Sequence, residues 1–341
     1  MGASSAVVRA TAFVAAAVVT FSVVKELADD DGTTAPFGDP AEQAAPTTSE
    51  EPPAPVLDLT PYEGLGTWVD AFDYGRAYQT EGHEPAVTPD DVEAMAEAGV
   101  RTIFLQVTRN DPRSPDGFVD REVAEELLVA AHEAEMHVVG WYLPTFSSVR
   151  TDLANLEALL ELEVDGHRLD GVGVDIEYTE AVPDPAVRSA RLVRLSQRLD
   201  RAAGDLPISA IVLPPVQIEV VNPAYWPSFP WAEIRPHYDV WLPMSYWTFR
   251  TPESGYRNPA NYHGESVRRL EANLGARPGE VPVHGIGGIG DLATGAELLT
   301  FARTLAEQGA LGGSIYDWTT LDDTNRTLLA RLFADFPDVP D

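Results

Sequence analysis

The chain has 341 residues, 44% of them hydrophobic, and a formal net charge of -31. Its length allows one large domain or two small ones, and its charge argues against nucleic acid and anionic membrane surfaces as partners, since both repel it. There is no cysteine, and Lys25 is the only lysine. A thiol nucleophile, disulfides, Cys-ligated zinc, a Schiff base in the globular region and a P-loop lysine are therefore all excluded.

Met1–Val24 carries Arg9 in a small polar start, then an apolar run, Ala10–Val24, closed by Lys25. That is the layout of a signal peptide or an uncleaved membrane anchor over residues 1–25. Residues 26–60 are rich in Ala, Pro, Thr, Asp and Glu and hold no basic residue. Low hydrophobicity with one sign of charge predicts a disordered, extended linker. Together the two segments place residues 61–341 outside the cytoplasm, secreted or membrane-anchored, with the N-terminal segment as the only membrane contact.

From Pro61 onward, strand and helix patterns alternate. Strand one is expected at Gly66–Ala71. A helix starts at Thr88-Pro89-Asp90-Asp91, with Thr as N-cap, Pro at the first position and acids in the first turn. Strand two is Arg101–Val107, followed by a helix from Asp120 to Glu135. Strand three is His137–Leu143, and a helix spans Asp152–Leu162. Leu169–Tyr178, LDGVGVDIEY, is a short run of small and β-branched residues that suits a buried parallel strand, the fourth. A long helix covers Pro185–Ala203.

Strand five is Pro207–Leu213 and strand six Val240–Tyr246, in which Pro243 is unusual for an interior strand. A helix at His263–Leu274 leads to strand seven, Val281–Ile286, and Gly285–Gly290, GIGGIG, reads as a tight loop. A helix at Thr294–Gln308, strand eight at Gly312–Trp318 and a helix at Asp323–Phe333 complete the chain. Eight strands alternating with helices predict an α/β fold, a (β/α)8 TIM barrel.

In such a barrel the carboxyl ends of the strands meet at one pocket. Alternation turns Gly173, Asp175 and Glu177 to one face and Val172, Val174 and Ile176 to the other. Two carboxylates thus stand about two residues (~7 Å) apart at the end of strand four. The other strand ends add Asp70 and Asp73, Gln106 and Thr108, Tyr142, Tyr246 and Trp247, and Tyr316, Asp317 and Trp318. Carboxylates with flat rings suit a polyhydroxylated ligand, because sugars present apolar C–H faces and polar edges. Glycoside cleavage requires an acid for the leaving oxygen and a second group to stabilise the oxocarbenium-like state. Glu177 is the expected acid, its pKa raised by the charge of Asp175 one pleat below.

Leu169–Glu177 resembles the strand-four signature, roughly DGxDxDxE, of family 18 glycoside hydrolases, the chitinase-like barrels. Asp170, Gly171, Asp175 and Glu177 match, and Gly173 stands where the first Asp of DxDxE is expected. Met244-Ser245-Tyr246 resembles the strand-six MxY, with Trp247 in place of the usual Asp. Trp318 resembles the Trp that floors the sugar site, and the strand-three SxGG is absent. The resemblance implies that Glu177 is the proton donor, that Asp175 orients an N-acetyl group which attacks the anomeric carbon, and that Tyr246 hydrogen-bonds that acetamide.

Two alternatives stay open: a degenerate barrel that binds glycans or a surface partner without cleaving them, and a muramidase-like peptidoglycan hydrolase. No cofactor and no metal are expected. The seven histidines are scattered without an HExxH pair, and His284, within strand seven, is the one to watch. The expected partner is a polysaccharide or oligosaccharide, and the expected state a monomer.

Overall fold

The computed structural model describes residues 57–340, which belong to one compact unit, Leu57–Asp341. The expected signal or anchor and nearly all of the expected linker lie outside the described residues. Among the described residues, no helix is long and apolar enough to cross a membrane.

Eight strands form one sheet: β1 Gly64–Val69, β2 Thr102–Gln106, β3 His137–Tyr142, β4 Gly171–Ile176, β5 Ile208–Val212, β6 Val240–Pro243, β7 His284–Ile289 and β8 Gly312–Tyr316. They pair in parallel in the order β6-β5-β4-β3-β2-β1-β8-β7. Parallel bridges Trp241↔Val283 and Met244↔Ile286 join the two outer strands and close the ring. This is the predicted TIM barrel.

The helices are α1 Asp91–Glu97, α2 Arg121–Glu133, α3 Val149–Leu160, α4 Pro185–Ala203, α5 Pro259–Asn273, α6 Gly295–Glu307 and α7 Asp323–Phe333. Their starts are chemically marked. Asp120, Ser148, Asp184, Asn258, Thr294 and Asp322 each accept a backbone N–H of the first turn, worth about 1 kcal/mol apiece. Ser148 starts α3 earlier than the apolar spacing suggested. Conversely, Asp91 accepts both Thr88 N at 2.8 Å and Thr88 Oγ1 at 2.9 Å, so Thr88–Asp90 form a turn and α1 begins only at Asp91.

Strand alternation divides the core into two layers. The outer layer lies between strands and helices, where Leu192, Leu195 and Leu199 of α4 are fully buried; truncating one to Ala costs about 2–5 kcal/mol. The inner layer fills the ring with Trp68, Phe104, Val139, Trp141, Ile211, Leu242, Met244, Ile286 and Tyr316.

The GIGGIG stretch is strand β7 itself rather than a loop. A Cβ at Gly287 would lie 2.4 Å from Ile315 Cδ1 and 2.9 Å from Trp247, and one at Gly288 would lie 2.5 Å from Thr248 Cγ2. The glycines are there because neighbours press onto the strand, and a β-propensity reading misses that.

Candidate active site

The end of β4 delivers both acids to the interior. Asp175 is 4% exposed, and Glu177 is half-buried just beyond the last strand residue. Burial raises the Glu177 carboxyl to about 7. The Asp175 carboxyl is raised well above its usual range by burial and then by Glu177, with the Arg109 guanidinium opposing. Burial is thus the largest cause on both carboxyls, and the repulsion expected between the two acids adds to it. Tyr225 donates to the Glu177 carbonyl at 2.9 Å, fastening the strand tip to the segment after β5.

Across the ring, the β1–β8 side carries a second acid group. Asp70 caps the short turn Ala71–Tyr74, accepting Phe72 N at 2.7 Å, while Asp73 Oδ2 accepts Asp70 N at 2.9 Å. Asp317 caps the turn Trp318–Thr320, accepting Thr320 N at 3.0 Å. Thr319 Oγ1 lies 2.7 Å from Asp317 Oδ1 and 3.2 Å from Asp73 Oδ1.

One oxygen from each of Asp70, Asp73 and Asp317 lies within 4.8 Å of the others, so the three could share one cation. Burial raises all three carboxyls, that of Asp317 to about 6; each of Asp73 and Asp317 is raised further by Asp70. Tyr246 stands between the two acid groups, its hydroxyl held protonated by burial and then by Glu177, Asp175, Asp317 and Asp70. Its ring meets that of Tyr316 edge-on at 5.9 Å. Gln106 is fully buried, and its Oε1 accepts Ala71 N at 3.0 Å.

Glu177, Asp175, Tyr246, Tyr316, Asp317, Asp70, Asp73 and Gln106 therefore share the carboxyl end of the ring. Four other expected residues do not. Tyr142 follows Trp141 on β3, so alternation turns it outward, where it donates to Asp152 at 2.8 Å. Trp247 packs on Phe301 of α6 with ring centroids 4.9 Å apart. Trp318 is thrown outward by the capped turn and lies under the Arg326 guanidinium, 3.9 Å from its ring centroid. There it lines a small outer-layer cleft with Leu65, Ala98, Val100 and Leu329. Thr108 also leaves the pocket, donating to the Asn155 carbonyl at 3.2 Å.

Sequence reasoning missed the aromatic cluster inside the ring, beneath the carboxyl end. Trp68 stacks on Phe104 at 4.6 Å, approaches Trp141 edge-on at 5.9 Å, and donates to Ser314 Oγ at 2.8 Å. Counting by twos from Asp70 to Trp68, and from Gln106 to Phe104, would have found both. Arg109 was missed as well; its guanidinium draws Asp70 and Asp175 toward ionisation and lies 5.2 Å from the Phe72 ring centroid.

The remaining landmarks are structural. Asp170 sits at the opposite end of the barrel, accepting Val138 N at 2.7 Å and facing His132 Nε2 at 3.0 Å. His284 is fully buried inside the ring, 2.9 Å from the Tyr62 carbonyl, and burial lowers its pKa to about 4. Gly173 keeps the interior passable: a Cβ there would lie 2.9 Å from Ile211 Cδ1 and 3.2 Å from Trp141 Cβ.

The described residues thus form a closed (β/α)8 barrel with two groups of carboxyls and two tyrosines at its carboxyl end. No family model matches the chain, and no curated protein matches it. Solved structures match in fold. A class V chitinase mutant from Cycas revoluta in complex with (GlcNAc)3 aligns with a TM-score of 0.54 at 9% identity, over 78% of this chain and 98% of that one. A chitinase from Rhizomucor miehei aligns at 0.53 and 13% identity, over 79% and 98%. A class V chitinase from Pseudomonas fluorescens Pf-5 aligns at 0.53 and 11%, over 78% and 98%. The likeness to these structures is one of fold, a shared (β/α)8 barrel.

Proposed function

We propose that this chain is an exported glycoside hydrolase that cleaves a polysaccharide, with Glu177 as the proton donor. The observation that carries the reading is the Asp175–Glu177 pair at the carboxyl end of β4, where burial pushes the Glu177 carboxyl up to about 7. Glu177 gives its proton to the glycosidic oxygen as the C1–O bond breaks. The carboxylate left behind faces the positive charge that develops at C1. Water then adds to C1 and returns a proton to Glu177, which completes the cycle. Asp175 shares the proton inventory of the pair, so its removal would alter the pH at which Glu177 is loaded. Tyr246 and Tyr316 offer edges and hydroxyls to the sugar, and Trp68 and Trp141 close the floor beneath. Export rests on the N-terminal sequence alone.

Fragments of chitin, peptidoglycan, and α- and β-glucans are the substrates to screen. Wild-type chain should release product from one of them, and Glu177→Gln should lose turnover by at least about 10²-fold while still binding it. Saturable binding without turnover by the wild type would select the degenerate, glycan-binding barrel instead. That second reading is favoured by the space-filling at Gly173, which leaves no room for a third carboxylate on β4. Turnover of peptidoglycan alone would select the muramidase reading.

A further inference from the structure

The carboxyl end of the barrel gathers more carboxyl groups than a neutral sugar calls for. Asp70, Asp73 and Asp317 are buried with their oxygens within 4.8 Å of one another. Asp175 and Glu177 face them across the ring, and Tyr246 senses both groups. Arg109 is the cation that acts on Asp70 and Asp175, and the described residues contain no lysine.

A second, independent observation points to a ligand. Asp175, 4% exposed, has an oxygen, Oδ1, without a hydrogen-bond partner. Gln106, 0% exposed, has an open Nε2. Buried polar groups are paired as a rule, so an open acceptor and an open donor at the ligand-binding end of a barrel await partners that the chain does not supply.

The chemistry of those partners follows from the surroundings. A uronic acid or another anionic sugar would be repelled. An acetamide brings one N–H, but its carbonyl oxygen would compete for donors where the walls are mostly acceptors. An ammonium is a compact cation with three donors, and its hydrogen bonds to carboxylates are charge-assisted.

We propose that this site takes a hexosamine bearing a free ammonium group, within a de-N-acetylated amino-sugar chain, the ammonium lying among Asp70, Asp73 and Asp317 and the ring hydroxyls on the side of Asp175 and Gln106. The proposal rests on the glycosidase reading and names its substrate class. On this reading the resemblance-derived role for an N-acetyl group falls away, and Glu177 works without assistance from the substrate.

The test is calorimetric titration of the full chain carrying Glu177→Gln, at mildly acidic pH, with tetramers of glucosamine, N-acetylglucosamine and glucose. The glucosamine tetramer should bind at least about tenfold tighter than the other two, and less tightly as salt is raised. Adding Asp317→Asn, or Asp73→Asn, should remove most of that preference while the thermal midpoint shows the chain still folded. Equal or tighter binding of the N-acetylated tetramer would overturn the proposal. So would a preference that survives both Asn variants, or Ca²⁺ or Mg²⁺ alone occupying the three aspartates and blocking the sugar. If the free-amine tetramer binds as stated but the wild type does not cleave it, the substrate class stands and hydrolysis falls. If the wild type cleaves the N-acetylated tetramer and binds it more tightly, the reverse holds.

Discussion

The Tyr316 hydroxyl donates to Asp70 Oδ2 at 2.5 Å, joining β8 to the turn after β1. Asp70 is buried, and its other oxygen already accepts Phe72 N. Tyr316→Phe keeps the ring but strips one carboxylate oxygen of this donor. The expected cost is about 1–3 kcal/mol, read as a lower midpoint in urea denaturation. An unchanged midpoint would mean that this bond does not hold the seam.

Glu177 sets the pH dependence. Burial raises its carboxyl from 4.5 to about 7. Between those values the folded chain keeps a proton that the unfolded chain has released, so stability falls as pH rises. The contribution is whole below 4.5 and gone once pH has passed through about 7. Glu177→Gln cannot ionise, and its stability relative to the wild type should grow across that window and then level off. Activity should decline above about 7 for the same reason, as the acid empties. A difference between Glu177→Gln and the wild type that stays constant across the window would contradict the placement of Glu177 inside the ring.

At the far end of the barrel, Asp170 accepts Val138 N at 2.7 Å and faces His132 Nε2 at 3.0 Å and His137 Nδ1 at 3.4 Å. Its carboxyl is lowered, against the effect of burial, by hydrogen bonds from His132, His137 and Val138. A lowered carboxyl stabilises above its unfolded value of 3.8, and that stability is lost as pH falls through the folded value. Asp170→Asn should cost about 1–2 kcal/mol at neutral pH, a cost that shrinks in acid, with turnover per folded molecule unchanged. A loss of turnover without loss of stability would move Asp170 from scaffold to site.

Restoring the family 18 pattern at position 173 should fail. A Cβ there meets Ile211 Cδ1 at 2.9 Å, Ser209 Oγ at 3.2 Å and Trp141 Cβ at 3.2 Å. The Ile tip can yield, whereas the Trp141 Cβ is held by its own strand. Gly173→Asp should therefore lose about 1–3 kcal/mol and gain no activity. A variant as stable as the wild type and faster on chitin fragments would refute this packing argument.

The order of strands was legible because each is an apolar run bounded by caps and turns, and the two acids of β4 were legible by alternation alone. The errors share a cause. Tyr142, Trp247 and Trp318 lie near strand ends in the sequence, and nearness to an end does not tell which face a residue occupies. Tyr142 has the wrong parity, and the two tryptophans follow chain reversals that turn them toward helices. Parity correctly applied would have exchanged Tyr142 for Trp141 and added Trp68. The β1–β8 acid group is harder to read, since Asp70, Asp73 and Asp317 meet only when the first and last strands pair. Strand β7 was misread because its glycines answer to Trp247, Phe301 and Thr248, residues distant in sequence.

The ring is not equally strong all the way round. Seven of its joints are ladders between named strands, while β6 and β7 meet through the two bridges Trp241↔Val283 and Met244↔Ile286. Backbone amides along that joint, Ser245 N on the Ile286 carbonyl at 2.8 Å among them, should be the first in the barrel to exchange with deuterated solvent. Tyr246 borders this joint and Glu177 does not, so breathing there would loosen the tyrosine wall while leaving the acid on β4 in register.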